Sequence, residues 1–285
     1  MHLLHEDQID ISGFASVRER VLLLDRHFFK QVIPDDCFDG LGGCVYLANA
    51  WFSPHGSTGL HHHRGLDIVS LIPRGQILHQ GTIGDGVRVN AGQVQIQRDG
   101  RQGFSHNEIN PTAAVQPMIQ LWINPQWTHP GSSGAADHHA DSYHAAAPDA
   151  YHAGAPDYQI VTIEPGVTCV YGGELFAAAM RVDVIDWPEG GVLPLAGEAL
   201  LYVWGGGCEV RKSEMREREA REREAREREA REREAREREA RKSEVRESEA
   251  QAGESQSLLR GHLLRGRDFS IVAERGLQAL LIRTA

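Results

Sequence analysis

The sequence predicts an all-β chain of two antiparallel barrels, and three observations carry that expectation. Residues 66–97, "LDIVSLIPRGQILHQGTIGDGVRVNAGQVQIQ", break into short apolar or alternating runs separated by Pro-Arg-Gly, Gly-Asp-Gly and Asn-Ala-Gly turns, the rhythm of an antiparallel barrel. A similar rhythm returns at 159–210 and 258–284. Between and within these stretches lie two segments that cannot belong to a core. The expected organisation is therefore a first barrel at 1–125, an Ala/Pro/His-rich linker at 126–158, and a second barrel at 159–285 interrupted by an Arg/Glu insertion at 211–257.

The 285 residues, 41% of them hydrophobic, suffice for one large or two ordinary cores. No run of about 18 apolar residues is present, and the first residues, "MHLLHEDQIDISG", hold acids where a secretory signal needs an apolar stretch; the chain reads as cytoplasmic and not membrane-bound. Cys37, Cys44, Cys169 and Cys208 form no CxxC pair and read as small buried hydrophobes. The formal charge of −10 is uneven: residues 211–250 hold 15 of the 30 basic side chains and 14 of the 40 acidic ones. What remains is acidic and repels a phosphate backbone, which argues against direct nucleic-acid binding.

The linker, "QWTHPGSSGAADHHADSYHAAAPDAYHAGAPD" at 126–157, carries an echo between residues 143–149 and 151–157 and five histidines (His129, His138, His139, His144, His152). Its composition buries little and reads as a soluble tether. The "REREA" repeat at 216–240 places every Glu but the last four residues before an Arg, for example Glu217 before Arg221, the favourable order for helical ion pairs. Its alanines advance by about 140° around a helix, so no apolar stripe forms and a coiled coil is disfavoured. If its flanks are neighbouring strands, one straight helix of about 40 residues, roughly 60 Å long, cannot connect them.

Chemistry concentrates in "GLHHHRG" at 59–65 and in "GRQGFSHNEIN" at 100–110. Residues two apart on a strand share a face. His61 and His63 therefore project together while His62 faces away, and His106 projects with Glu108 across Asn107. Two such pairs facing one barrel interior offer three imidazoles and one carboxylate, a set that suits Fe2+, Mn, Ni, Cu or Zn and leaves room for water or substrate. His79 after the "PRGQIL" turn reads as an exposed barrel histidine that otherwise borders the pocket. Arg64 is open to two roles, a hydrogen bond that fixes a ligand strand or a surface salt bridge. Trp51, Phe52, Trp122 and Trp127 read as core or rim.

The "HHHRG" run resembles the HxHRG of the pirin family, "GRQGFSHNE" resembles that family's glycine-rich lead into HxE, and "IQLWIN" at 119–124 resembles its following apolar strand. The resemblance is firm over about 40–125 and looser over 159–210 and 258–284. It implies a bicupin, with one metal ion, foremost Fe2+, in the first barrel on His61, His63, His106 and Glu108. It implies a flavonol dioxygenase of the quercetin 2,3-dioxygenase type with Glu108 doubling as general base, and a small aromatic substrate. The alternative it implies is a non-catalytic, iron-binding regulator that contacts transcription factors or metabolic enzymes. Asp67 stands where the family commonly has Glu, and the lead-in to the second pair is one residue longer. The second barrel, whose one histidine is His262, is expected to hold no metal.

Overall fold

The structure is a computed structural model that describes residues 1–30, 36–100, 102–127, 156–172, 178, 180–187, 191–212 and 255–284. The linker histidines and the Arg/Glu repeat lie outside the described residues.

The all-β expectation holds. The first strands are β1 (His2–His5), β2 (Ser12–Phe14), β3 (Val17–Leu24) and β4 (Cys44–Phe52). The middle of the chain forms β5 (His61–His63), β6 (Asp67–Ile72), β7 (Gln76–Gly81), β8 (Val87–Asn90), β9 (Gln93–Arg98), β10 (Phe104–Ile109) and β11 (Gln116–Ile123). After the linker come β12 (Asp157–Thr162), β13 (Gly166–Tyr171), β14 (Met180–Trp187), β15 (Val192–Lys212), β16 (Ser255–Leu259) and β17 (His262–Thr284).

Three sheets result. A seven-stranded sheet runs β12-β9-β6-β11-β4-β3-β2, a four-stranded sheet runs β5-β10-β7-β8, and a six-stranded sheet runs β13-β14-β17-β15-β16 with β1 paired to β17. Asp157 and Tyr158, which the sequence groups with the linker, begin β12 and pair with Arg98 and Gln97 of β9. Conversely β1 pairs with β17, His2 opposite Arg265 and His5 opposite His262. Each half thus contributes a strand to the other's sheet.

The packing explains the apolar runs. On one face of the seven-stranded sheet Val69, Leu71, Val94, Ile96, Ile119 and Leu121 join Val170, Tyr171, Val182, Leu200, Leu280 and Ile282 in one cluster between the halves. On the other face Ala50, Phe52, Ile72 and Met118 meet Ile77 and Val89 of the four-stranded sheet. A strand buried on both faces has no solvent side, which is why all six residues of β6 are buried and why "DIVSLI" lacks a clean period of two. A third cluster, including Leu201, Val210, Phe269, Ile271 and Leu281, fills the second half.

Asp67 ties the halves together. Fully buried, it accepts the Tyr171 hydroxyl at 2.9 Å and the Asp99 backbone N–H at 2.9 Å. Its shorter arm thus serves an inter-half bond. The strands that flank the Arg/Glu insertion are neighbours, with Arg211 of β15 opposite Ser255 of β16. None of the four cysteines is in a disulfide; Cys44 and Cys208 are buried as expected, whereas Cys37 and Cys169 are half-buried.

Candidate metal centre

The centre lies on the inner face of the four-stranded sheet, and the register of β10 builds it. On one side β10 pairs with β5, setting His106 opposite His61 and Phe104 opposite His63. On the other it pairs with β7, setting Glu108 opposite His79. Residues directly opposite in an antiparallel pair share a face, so His61, His63, His106, Glu108 and His79 all project inward. His62 projects outward and is exposed, as its parity requires. The close approach of β7 to β10 depends on Gly81, where a Cβ would collide with the Ser105 carbonyl and stand 2.9 Å from the His106 Cα.

Two overlapping groups of donors result. His61, His63 and His106 each bring a ligand atom within 4.8 Å of one another, and so do His79, His106 and Glu108. The Nε2 atoms of His61 and His106 are 3.0 Å apart. Glu108 falls in the second group, not in the first. His79, expected on the exposed surface, is wholly buried. The correction has a geometric cause: β7 is the inner neighbour of β10, so parity aims His79 at the interior.

Hydrogen bonds fix which nitrogens are free. His61 Nδ1–H donates to the Gly59 carbonyl at 2.8 Å, and His79 Nε2–H donates to the Ile83 carbonyl at 2.9 Å. Each bond selects a tautomer and leaves the opposite nitrogen as a lone pair, the usual way a ligating histidine is oriented. The Nδ1 atoms of His79 and His106 are buried without a hydrogen-bond partner. Burial, reinforced by the neighbouring imidazoles, pushes His63 down to about 4 and His106 down to about 2. Burial also lowers His79, against the raising effect of the Ile83 carbonyl. Neutral imidazoles with orphaned nitrogens fit a divalent cation, since a buried polar atom without a partner is costly unless a ligand satisfies it.

Glu108 is held by side chains that the sequence reading did not single out. Gln95 Nε2 and Gln120 Nε2 donate to its two oxygens, the latter at 3.1 Å, and Ser70 Oγ donates to it at 3.3 Å. The amides are themselves oriented: Tyr158 Oη donates to Gln95 Oε1 at 3.0 Å, and Trp122 Nε1 donates to Gln120 Oε1 at 3.0 Å. Burial raises Glu108 to about 7 against the lowering effect of these three donors. The sequence marks Gln95 and Gln120 only as glutamines within apolar strands, "QVQIQ" and "MIQLWI". Arg64 is exposed, and the turn beside it is secured instead by the Gly65 N–H, which donates to Asp99 Oδ1 at 2.9 Å. Trp122 lies beside the centre, its ring 5.3 Å from that of His63.

The family model described as Pirin matches residues 49–123, which contain every one of these inward histidines and Glu108. Over that stretch the chain is similar to the pirin family. Among the curated relatives is a quercetin 2,3-dioxygenase of Escherichia coli K12, 33% identical over 69 residues, or 24% of this chain and 29% of that protein. A Zymomonas mobilis protein, provisionally given the same name, is 34% identical over 73 residues, 26% of this chain and 31% of its own length. These matches span under a third of the curated relatives' length. The crystal structure of the bacterial pirin YhhW from Escherichia coli in complex with nickel(II) aligns over 99% of this chain and 97% of its own, with a TM-score of 0.63 and 14% identity. At that identity the likeness concerns the fold, which extends across both halves. Among the described residues no helix is long and apolar enough to cross a membrane.

Proposed function

We propose that this protein is a metal-dependent dioxygenase, with iron as its metal, acting on a flavonol such as quercetin. The observation that carries this reading is the convergence of four inward imidazoles and a buried carboxylate, with the Nδ1 atoms of His79 and His106 left unpartnered, on one sheet face within the stretch that matches the pirin model. The names of the relatives supply the substrate class.

His61, His63, His106 and Glu108 would hold the ion. A divalent metal bound there supplies Lewis acidity, which lowers the pKa of a substrate hydroxyl. The protein's own part is to bind, orient and accept the proton. Glu108 is the candidate base; the amides of Gln95 and Gln120 hold its oxygens in place, so the acceptor is oriented before substrate arrives. Phe14 approaches His61 edge-on with ring centroids 6.3 Å apart and is 44% exposed, and Leu60 beside it is 73% exposed. Such apolar groups next to a polar centre suit a flat aromatic substrate.

The test is to determine the bound metal by elemental analysis and to follow quercetin absorbance under oxygen, with His61→Ala as control. Metal-dependent turnover that is lost in His61→Ala supports the reading. Bound iron without turnover of any flavonol overturns it and leaves the regulatory alternative.

A further inference from the structure

The second donor group contains a residue that the four-ligand set does not use. His79 is wholly buried, its Nε2–H is spent on the Ile83 carbonyl, and its Nδ1 has no partner. Packing alone explains part of this, because its ring lies 4.8 Å from that of Tyr158. An aromatic contact needs a flat ring and does not account for a His79 ring nitrogen within 4.8 Å of the donor atoms of His106 and Glu108; with Nε2–H spent on Ile83, Nδ1 is the nitrogen left to bind. Ligand bonds of about 2 Å allow two donors on one ion to stand about 4 Å apart, so small side-chain rotations bring all three onto a common cation.

We propose that the centre offers a divalent cation two overlapping positions: an outer one on His61, His63 and His106, and an inner one on His79 through Nδ1, His106 and Glu108. This deepens, and rests on, the metal reading above. Because both positions draw on His106, occupancy is exclusive and the protein takes up one ion. At the inner position the ion meets Glu108 where Gln95, Gln120 and Ser70 hold it; at the outer position Glu108 must turn toward it. His79 therefore governs whether Glu108 serves as ligand or stands free as a base.

Cobalt(II) titration, followed by calorimetry and by the visible ligand-field spectrum, tests the proposal. Wild type is expected to bind one Co2+. His61→Ala with His63→Ala destroys the outer position without touching the inner one, and is expected to retain one weakly bound Co2+ with an altered spectrum. Adding His79→Phe, which preserves a flat ring against Tyr158, is expected to abolish that residual binding while circular dichroism shows the fold retained. If the His61/His63 double variant binds no Co2+, or if its binding survives His79→Phe, the inner position does not exist. If wild type itself binds no Co2+, the metal reading fails first. The order of loss separates the two.

Discussion

At the scale of single residues, the centre turns on which atoms are satisfied before any ion arrives. Gln120 illustrates this: its Nε2–H reaches Glu108 Oε2 at 3.1 Å while its Oε1 accepts the Trp122 indole N–H at 3.0 Å. The indole fixes the amide, and the amide fixes the carboxylate. Gln120→Leu keeps the volume but leaves the buried Glu108 and the half-buried Trp122 each short of a partner, which costs about 1–3 kcal/mol. Urea unfolding of the metal-free protein should show that loss. Partners that orient a ligand typically contribute about 10–100-fold to metal affinity, so nickel calorimetry should weaken by a similar factor. A variant as stable as wild type with unchanged affinity would remove Gln120 from the support of Glu108.

At the scale of elements, β10 does the assembling, and its two neighbours explain what the sequence could and could not reveal. The pairs His61/His63 and His106/Glu108 were legible because each lies on one strand, where a spacing of two is visible locally. His79 was not, because its approach to Glu108 depends on a β7–β10 register that only the folded sheet defines. Gln95 and Gln120 were hidden for a different reason: an amide carries no metal-ligand signature, and β6, β9 and β11 are packed on both faces, so alternation could not mark their inner side. The exchange of β1 and β12 between the halves was equally non-local. The same β7–β10 contact can be tested through Gly81, whose missing side chain admits the backbone beneath His106. Gly81→Val should push β7 away from β10 and weaken metal binding, because only His79 reaches the centre from β7. Thermal unfolding should shift down with it. Wild-type affinity in Gly81→Val would mean that the two strands need not approach so closely.

At the scale of the whole molecule, the centre makes folding depend on pH with two opposite signs. The lowered histidines stay neutral in the folded protein, so as pH falls below 6.5 the unfolded chain takes up protons that the native state refuses. The stability present above that pH is lost toward the native values of about 4 for His63 and about 2 for His106. Glu108 works the other way. Its native value of about 7 lies above its ordinary 4.5, so its contribution is full below pH 4.5 and disappears as pH rises to 7. The difference in unfolding free energy between wild type and Glu108→Gln isolates that group, since every other titration is common to both. For the metal-free proteins, the wild type's stability relative to the variant should fall as pH rises from 4.5 to 7, by up to about 1.4 kcal/mol per pH unit, and then level off. With nickel bound the fall between pH 4.5 and 7 should disappear, because the ion favours the ionised carboxylate that burial disfavours. A pH-independent difference in the metal-free pair would show that Glu108 is already ionised in the fold. A fall that persists with nickel bound would show that its oxygens do not meet the ion.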